Sequence, residues 1–453
     1  MHRAGTFWRA PCIALAAVFV AYWLFADTVR RHWPDTSGSS ASIRFSYWGG
    51  FDDHRMWGEV IAAFEAAHPG LHVNPEWLPL SGYTTKLDQQ LVAGNAPDVI
   101  MFQDEPFARY AGAQFAPLGA LLDADAETRR RLADCWSTAV TSFEHDGSLR
   151  GLPIMGGNVL VYCNLNAFER AERVIGRPIP RPAPGWTMDE FVALCRLLTI
   201  DEDSDGTPEQ FGLLQPHWVY YLPFIWAHGA SLLDDSRTTW VFDDAAALAS
   251  LRLYGDLRHG WRVTPMPIEY AGQNSDTSFL SGRVAMCVNG PWFEPFLRET
   301  ALRGRYVVVP IPRGPGGNAT RVTWDGLCIY VKLPPDRKAR AWRFVRFVLT
   351  REAQDIFAAY QRAIPARRVC AASYVHYGGG EGSPAAAFVA AMETARLQPI
   401  TPAWHGMNSA MSRHLTSLLL EGDARSTPEE ALAALAADRD IRAAFAMRSE
   451  GEE

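Results

Sequence analysis

Apolar and polar positions alternate along this chain in short blocks whose period switches between two and about 3.6. Ile43-Arg-Phe-Ser-Tyr-Trp48 alternates at period two and ends at Gly49-Gly50, the pattern of a strand. Residues 56–67 carry apolar side chains at helical spacing and stop before Pro69-Gly70. Residues 71–77 predict a second strand, residues 83–93 a helix stopped by Gly94-Asn95, and residues 97–102 a third strand. This β-α-β-α-β order predicts an α/β fold built on a doubly wound parallel sheet.

Further along, Gly151-Leu-Pro153 followed by the apolar run 159–163 reads as the chain passing into a second lobe. Thr187 and Glu190 stand at N-cap and N3 spacing and open a helix, as do Thr427 and Glu430 near the C-terminus. Residues 283–288 form an apolar run of strand length, preceded by Gly282 and stopped by Gly290-Pro291. Trp292 then lies just past the strand's carboxyl end, where open α/β sheets place their ligands. The competing reading is a packing tryptophan, the commoner role of a large aromatic. Residues 323–332 predict a strand, and residues 337–349 and 350–360 amphipathic helices.

A length of 453 residues accommodates two or three domains. The formal net charge of −7, with no basic stripe, excludes a general nucleic-acid binder. Sixteen tryptophans recur near Gly, Pro and Asp. Such aromatic faces stack on flat apolar surfaces, the C–H faces of sugar rings among them. Arg3 and Arg9 precede an apolar run of 15 residues, 12–26, which fits a signal-peptide core and is short for a spanning helix. Export is expected, to the periplasm or the cell surface, with cleavage and retention as an N-terminal anchor both open. The Pro/Ser/Gly-rich tract 34–42 then serves as a spacer. The cysteines form no CxxC pair, so buried thiols are expected rather than a zinc site or a disulfide scaffold. Asp201-Glu-Asp-Ser-Asp-Gly206 matches the first half of a calcium loop, but Gly212 stands where a bidentate Glu is required; an acidic surface loop is the favoured reading, and no metal is expected.

In order along the chain stand Trp48-Gly49, Gly94-Asn-Ala-Pro-Asp-Val99, Leu152-Pro153 with Val159-Leu-Val-Tyr-Cys-Asn164, and Trp186-Thr-Met-Asp-Glu-Phe191. Gly282-Arg-Val-Ala-Met286 leading to Gly290-Pro-Trp292 follows, then Pro312-Arg-Gly-Pro315 and Ala341-Trp-Arg-Phe344 with Ala353-Gln354. Together they resemble the family 1 extracellular solute-binding proteins of ABC importers, in particular the sugar-binding, maltose-binding-protein-like branch. The resemblance implies two α/β lobes joined by crossing strands, with a ligand cleft between them. It places lobe one at 43–152 plus 323–365 and lobe two at 153–322 plus 366–453, behind an N-terminal segment 1–42. The partners it implies are a small-molecule sugar and ABC permease subunits in the membrane, with the binding protein itself a monomer. No cofactor is expected.

Sugar recognition needs aromatic platforms for ring faces and carboxylates, amides or Arg for hydroxyls. The expected ligand-side residues are Trp48, Gly49, Phe102, Asp104, Glu105, Trp324 and Asp325 from lobe one. Asn158, Trp218, Tyr220, Asn289, Trp292 and Trp404 are expected from lobe two. Trp292 and Phe102 fall where the family carries stacking aromatics. The family's acidic residue after Leu-Pro is missing, since Gly156-Gly157-Asn158 stands there, which points to another sugar than maltose. Alternatives are a membrane-anchored ligand sensor, a binding protein for a non-sugar solute such as a polyamine, and a glycoside-cleaving enzyme. An enzyme needs two carboxylates flanking one bond, for which Asp104 with Asp325 is the only candidate pair.

Overall fold

The computed structural model describes residues 42–266, 275–420, 422 and 425–447. The expected targeting segment and most of the expected spacer lie outside the described residues, and no described helix is long and apolar enough to cross a membrane.

Strand β1 (Ser42–Trp48) leads into α1 (Phe51–Ala67), whose Met56, Trp57, Val60, Ile61 and Phe64 are buried. Strand β2 (His72–Leu78), helix α2 (Leu80–Val92), β3 (Val99–Gln103) and α3 (Asp104–Gln114) follow. Strand β1 pairs in parallel with both β2 and β3, as the alternating pattern predicts. The chain then crosses through β4 (Gly151–Asn158) to β5 (Leu160–Asn164). It continues through β6 (Phe211–Leu213), α4 (Trp218–Ala227), β7 (Val284–Asn289), the short helix α5 (Glu294–Arg298) and β8 (Tyr306–Val309). Strand β9 (Thr320–Ile329) returns to the first sheet, followed by α6 (Pro335–Phe347), α7 (Arg351–Tyr360), β10 (Ile364–Pro365), α8 (Pro384–Ala391), β11 (Ala395–Leu397) and α9 (Trp404–Ser417).

Besides two small two-stranded sheets, the described strands form two mixed sheets. The larger runs β10-β4-β9-β3-β1-β2, with β11 paired to β9; the smaller runs β8-β5-β7-β6. The larger sheet departs from an all-parallel one because β4 and β9 are the crossing strands: β9 runs antiparallel to both β3 and β4. Two buried clusters form the core, and the first takes in one face of the smaller sheet as well as the larger sheet. Phe45, Trp57 and Phe344 belong to the first, Phe191, Tyr221 and Trp240 to the second. Helix α8 lies against both sheets, since Phe388 meets the Tyr162 ring of β5 and its carbonyl accepts a hydrogen bond from Asn158 of β4. The helix opened by Thr187 (Met188–Leu197) and the one opened by Thr427 (Pro428–Ala437) both carry the expected reciprocal capping bonds. The six described cysteines are buried free thiols, as their apolar contexts imply.

Candidate functional site

Residues at the carboxyl ends of the parallel strands β1 and β3, and just past the end of β7, come together at one cavity. Its volume is about 370 Å³, and it is lined by Trp48, Gln103, Glu105, Gly156, Gly157, His217, Tyr220, Trp292, Arg321, Thr323, Asp325, Arg362 and Asn408 among others. Trp48 closes β1, with its ring edge-on to Tyr83 at 5.0 Å. On the opposite wall the ring of Tyr220 meets Trp292 edge-on at 6.4 Å. Leu80, Val219, Ala363 and the two glycines complete the apolar lining, and three of the polar groups come from one strand. Arg321, Thr323 and Asp325 alternate along β9, so period two aims all three at the same side.

Arg321 anchors this wall. Its side chain is almost fully buried; Nη2 pairs with Glu105 Oε1, and Nε donates to Gln398 Oε1 at 2.6 Å. Its guanidinium also sits 5.9 Å from the centre of the Tyr220 ring, so one cation lies between Glu105 of α3 and Tyr220 of α4. Arg362 Nε donates to Asp53 Oδ1 at 2.8 Å. The Asp325 side chain keeps an edge open to the cavity, and its carboxyl has no hydrogen bond or ion pair from the described residues. Burial pushes its carboxyl up to about 8; Arg362 opposes the rise, and Asp104, Asp53 and Glu105 add to it. His217 caps α4, and burial holds its imidazole below the ordinary value, with Glu105 opposing.

Two further cavities meet the first at Trp292. One of about 700 Å³ is lined by Gln215, His217, Tyr220, Asn289 and Trp292 among others. The other, of about 520 Å³, runs between the start of α1 and α5, and shares both Trp292 and Arg362 with the first.

Of the thirteen expected ligand-side residues, the structure brings six to these cavities: Trp48, Glu105, Tyr220, Asn289, Trp292 and Asp325. The others face elsewhere. Phe102 is buried against Tyr110 and Phe115, because its neighbour Gln103 takes the cleft side of β3. Asp104 is wholly buried. It accepts hydrogen bonds from Thr323 Oγ1 at 2.6 Å, the Trp324 N–H at 3.0 Å and Ser142 Oγ at 3.2 Å, so it does not flank a ligand together with Asp325. Trp324 packs on the far side of β9 with its indole N–H on Thr138. Asn158 is buried and donates to the Phe388 carbonyl. Trp218 and Trp404 pack on each other at 5.6 Å, and the Trp218 indole N–H binds Asn408. Gly49 ends β1 at φ +152, where a Cβ would stand 2.3 Å from Asp53. It shapes the turn rather than lining the cavity.

The sequence reading missed Arg321, Thr323, Arg362, His217 and Asn408. The missing acidic residue after Leu152-Pro153 has a steric cause. A Cβ at Gly157 would lie 2.5 Å from Pro291, and one at Gly156 would lie 2.3 Å from the Trp324 ring. Strand β4 therefore forms a bare floor under Trp292, and charge arrives from β9 and α3 instead. The acidic loop brings carboxylate oxygens of Asp201, Asp203, Asp205 and Glu209 within 4.8 Å of one another, but none of these residues lines the three cavities.

Comparison with known proteins agrees with this architecture. A putative binding protein of Brucella abortus (strain 2308) is 25% identical over 385 residues, 84% of this chain and 88% of that protein. An ABC substrate-binding protein from Listeria monocytogenes, solved in complex with cycloalternan, superposes with a TM-score of 0.75 at 21% identity, covering 87% of this chain and 96% of that one. A solute-binding protein from Thermotoga lettingae bound with α-D-tagatose gives 0.71 at 21% identity, with coverages of 87% and 97%. At these identities the structural likeness carries the two-lobe fold. The model of the bacterial extracellular solute-binding proteins matches residues 59–376, more than half of the chain, and the chain belongs to that family.

Proposed function

We propose that this protein binds a sugar in the cleft between its lobes, outside the cytoplasm, and delivers it to the permease of an ABC importer. The observation that carries the reading is the lining of one cavity by aromatic platforms from opposite sides, Trp48 against Tyr220 and Trp292, around a ring of polar groups. Trp292 stacks on a ring face, while Glu105, Asp325, Thr323 and Gln103 take hydroxyls. The Arg321–Glu105 pair holds the polar wall in place before the ligand arrives, which lowers the ordering cost of binding. Relatives of the same fold carry cycloalternan and α-D-tagatose, in keeping with a sugar here.

In this reading lobe one comprises 43–152 with 323–365 and lobe two 153–322 with 366–453, and the protein works as an exported monomer. A ligand that touches both walls favours the closed arrangement to the extent that it binds that arrangement better. A cationic solute is the second reading, because the Asp325 carboxyl faces the cavity with no hydrogen bond or ion pair from the described residues.

Thermal-shift screening against mono- and oligosaccharides tests the proposal. A sugar ligand stabilises the folded chain by mass action. No stabilisation by any sugar, with a polyamine raising the melting temperature, would replace the sugar by the cation.

A further inference from the structure

The cleft takes the carboxyl ends of β1 and β3, and a cationic face is built at their amino ends. Asp98, just before β3, accepts from the Arg44 backbone N–H at 2.9 Å and pairs with Arg337, in the first turn of α6, at 2.6 Å. The other end of α6 meets the helix Ala126–Ala133, where Arg346 pairs with the N-cap Asp125 at 2.8 Å. These two helices lie far apart in sequence, so the chain shows no long basic run, yet the fold joins them around a cavity of about 320 Å³. Arg131, Arg337, Arg340 and Arg346 pair with Glu127, Asp98, Asp336 and Asp125 respectively. Arg129, Arg130, Lys332, Lys338 and Arg343 make no side-chain hydrogen bond or ion pair among the described residues; Lys338 is half-buried and the other four are exposed. Against these five cations, the cavity lining holds one carboxylate outside the pairs, that of Glu352. The imbalance stands in a chain whose formal net charge is −7. Unneutralised like charges repel one another, so the fold itself gains nothing from gathering them.

The aromatic side chains of α6, Trp342, Phe344 and Phe347, are all buried, so the face offers charge without a stacking surface. Phosphate-bearing lipid headgroups need charge alone, whereas single-stranded nucleic acid is held by stacking as well. Strand β1 begins at this end, so the segment before Ser42, which carries the apolar run 12–26, joins the folded chain beside the cationic face and away from the cleft. We propose that this end of the larger sheet lies on an anionic lipid surface, with the cleft at the opposite end of the strands. The contact is peripheral and electrostatic, and each unpaired cation strengthens it about fivefold. It leaves the ligand site free, whatever solute the cleft takes.

The test is co-sedimentation of the exported chain with vesicles of phosphatidylcholine alone and of an equimolar phosphatidylcholine–phosphatidylglycerol mixture. The expected preference for the anionic vesicles is at least about a hundredfold. Raising the salt from about 0.1 M to about 1 M shortens the screening length from about 10 Å to about 3 Å and should erase it. The triple variant Arg129→Gln, Arg130→Gln and Arg343→Gln should cut the preference about a hundredfold. Its circular dichroism and melting temperature should stay those of the parent, because all three side chains are exposed and unpaired. Acetylation of Lys332 and Lys338, read by mass spectrometry, should slow on the anionic vesicles alone; this readout reports the contact even where the apolar run 12–26 holds the chain to both kinds of vesicle. Equal partitioning together with equal acetylation on the two kinds of vesicle would overturn the inference. So would a triple variant that keeps the parent's preference in both readouts. A duplex oligonucleotide binding as tightly as anionic lipid would also overturn it, by making the face a general polyanion site. All of these outcomes leave the sugar reading standing.

Discussion

Asp104 is the sharpest test of how the cleft wall is built. Its carboxyl opens α3, has no exposed surface and accepts three hydrogen bonds, two of them from β9. Burial pushes it up from the ordinary 3.8 to about 7, with the Thr323 hydrogen bond the largest opposing influence. Between those values the folded chain holds a proton that the unfolded chain has released. Stability from this group is therefore fully present below about pH 4 and falls as pH rises, until it is lost above about pH 7. A shift of roughly three units corresponds to about 4 kcal/mol over the window, or about 1.4 kcal/mol per pH unit. Asp104→Asn removes the titration while keeping the bonds: the amide oxygen accepts from the Trp324 N–H, and the amide nitrogen donates to Thr323 Oγ1. The assay is the difference in melting temperature between parent and variant in matched buffers from pH 4.5 to 7.5. At roughly 2–4 °C per kcal/mol for a unit of this size, the parent should lose on the order of 10 °C relative to the variant across that range. A difference that stays constant with pH would refute the reasoning. So would one that changes in the opposite sense, since that would make Asp104 an ionised carboxylate at neutral pH.

Other expected outcomes follow from the same geometry. Trp292→Ala removes one stacking face, roughly a third of a tryptophan's area of about 200 Å². At about 25 cal/mol per Å² this weakens ligand binding by about 1.7 kcal/mol, close to twentyfold in Kd, with circular dichroism unchanged. Gly157→Ala forces a methyl into Pro291 and against the Trp292 ring, so both melting temperature and affinity should fall; calorimetry checks both. Asp325→Asn should flatten the pH dependence of affinity. Closure desolvates this carboxyl further and favours its neutral form, so parent affinity should fall as pH rises through about 8 while the variant's stays level. Arg321→Met leaves Glu105 without its guanidinium partner and should weaken affinity at least tenfold in the same titration.

The first three strands and the two helices between them were legible in the chain, whereas β9 begins at Thr320 rather than at the expected 323, and the direction of each side chain was legible only where alternation was followed through. Phe102 and Gln103 are neighbours on β3, and the apolar one faced the core. On β9 the chain reads Arg321-Val-Thr-Trp-Asp325, and the attractive tryptophan drew attention away from the polar residues on either side of it. Period two puts 321, 323 and 325 on one face, so Arg321 and Thr323 could have been found from the same pattern that located Asp325. Arg362 carries no such signal. It follows Gln361, which stands at φ +56 after α7, and its approach to the cleft depends on how that helix packs. Trp218 and Trp404 misled for a different reason. They lie far apart in the chain, and only the tertiary fold brings each to the other as its packing partner.

The division of labour in the cleft explains why a bare strand floor can serve a polar ligand. In β4 the two glycines bring backbone against Pro291 and the Trp324 ring, which leaves no room for a side chain beneath Trp292. The charge displaced from that floor reappears on β9, itself a crossing strand and adjacent to β4 in the sheet. In the proposed reading Thr323 and Asp325 sit on a crossing strand and would meet a ligand before the lobes close. Trp48 on one wall and Tyr220 with Trp292 on the other meet it together only when the walls approach. On that reading, affinity before closure would rest on hydrogen bonds from the crossing strand, and the added affinity on closure on aromatic faces. This is the differential interaction that a hinge needs if a ligand is to shift its equilibrium. A site with its carboxylate after Leu152-Pro153 would put polar and stacking contacts on the same element. Here they are separated, and the Arg321 contact with both Glu105 and the Tyr220 ring is where the two halves are coupled.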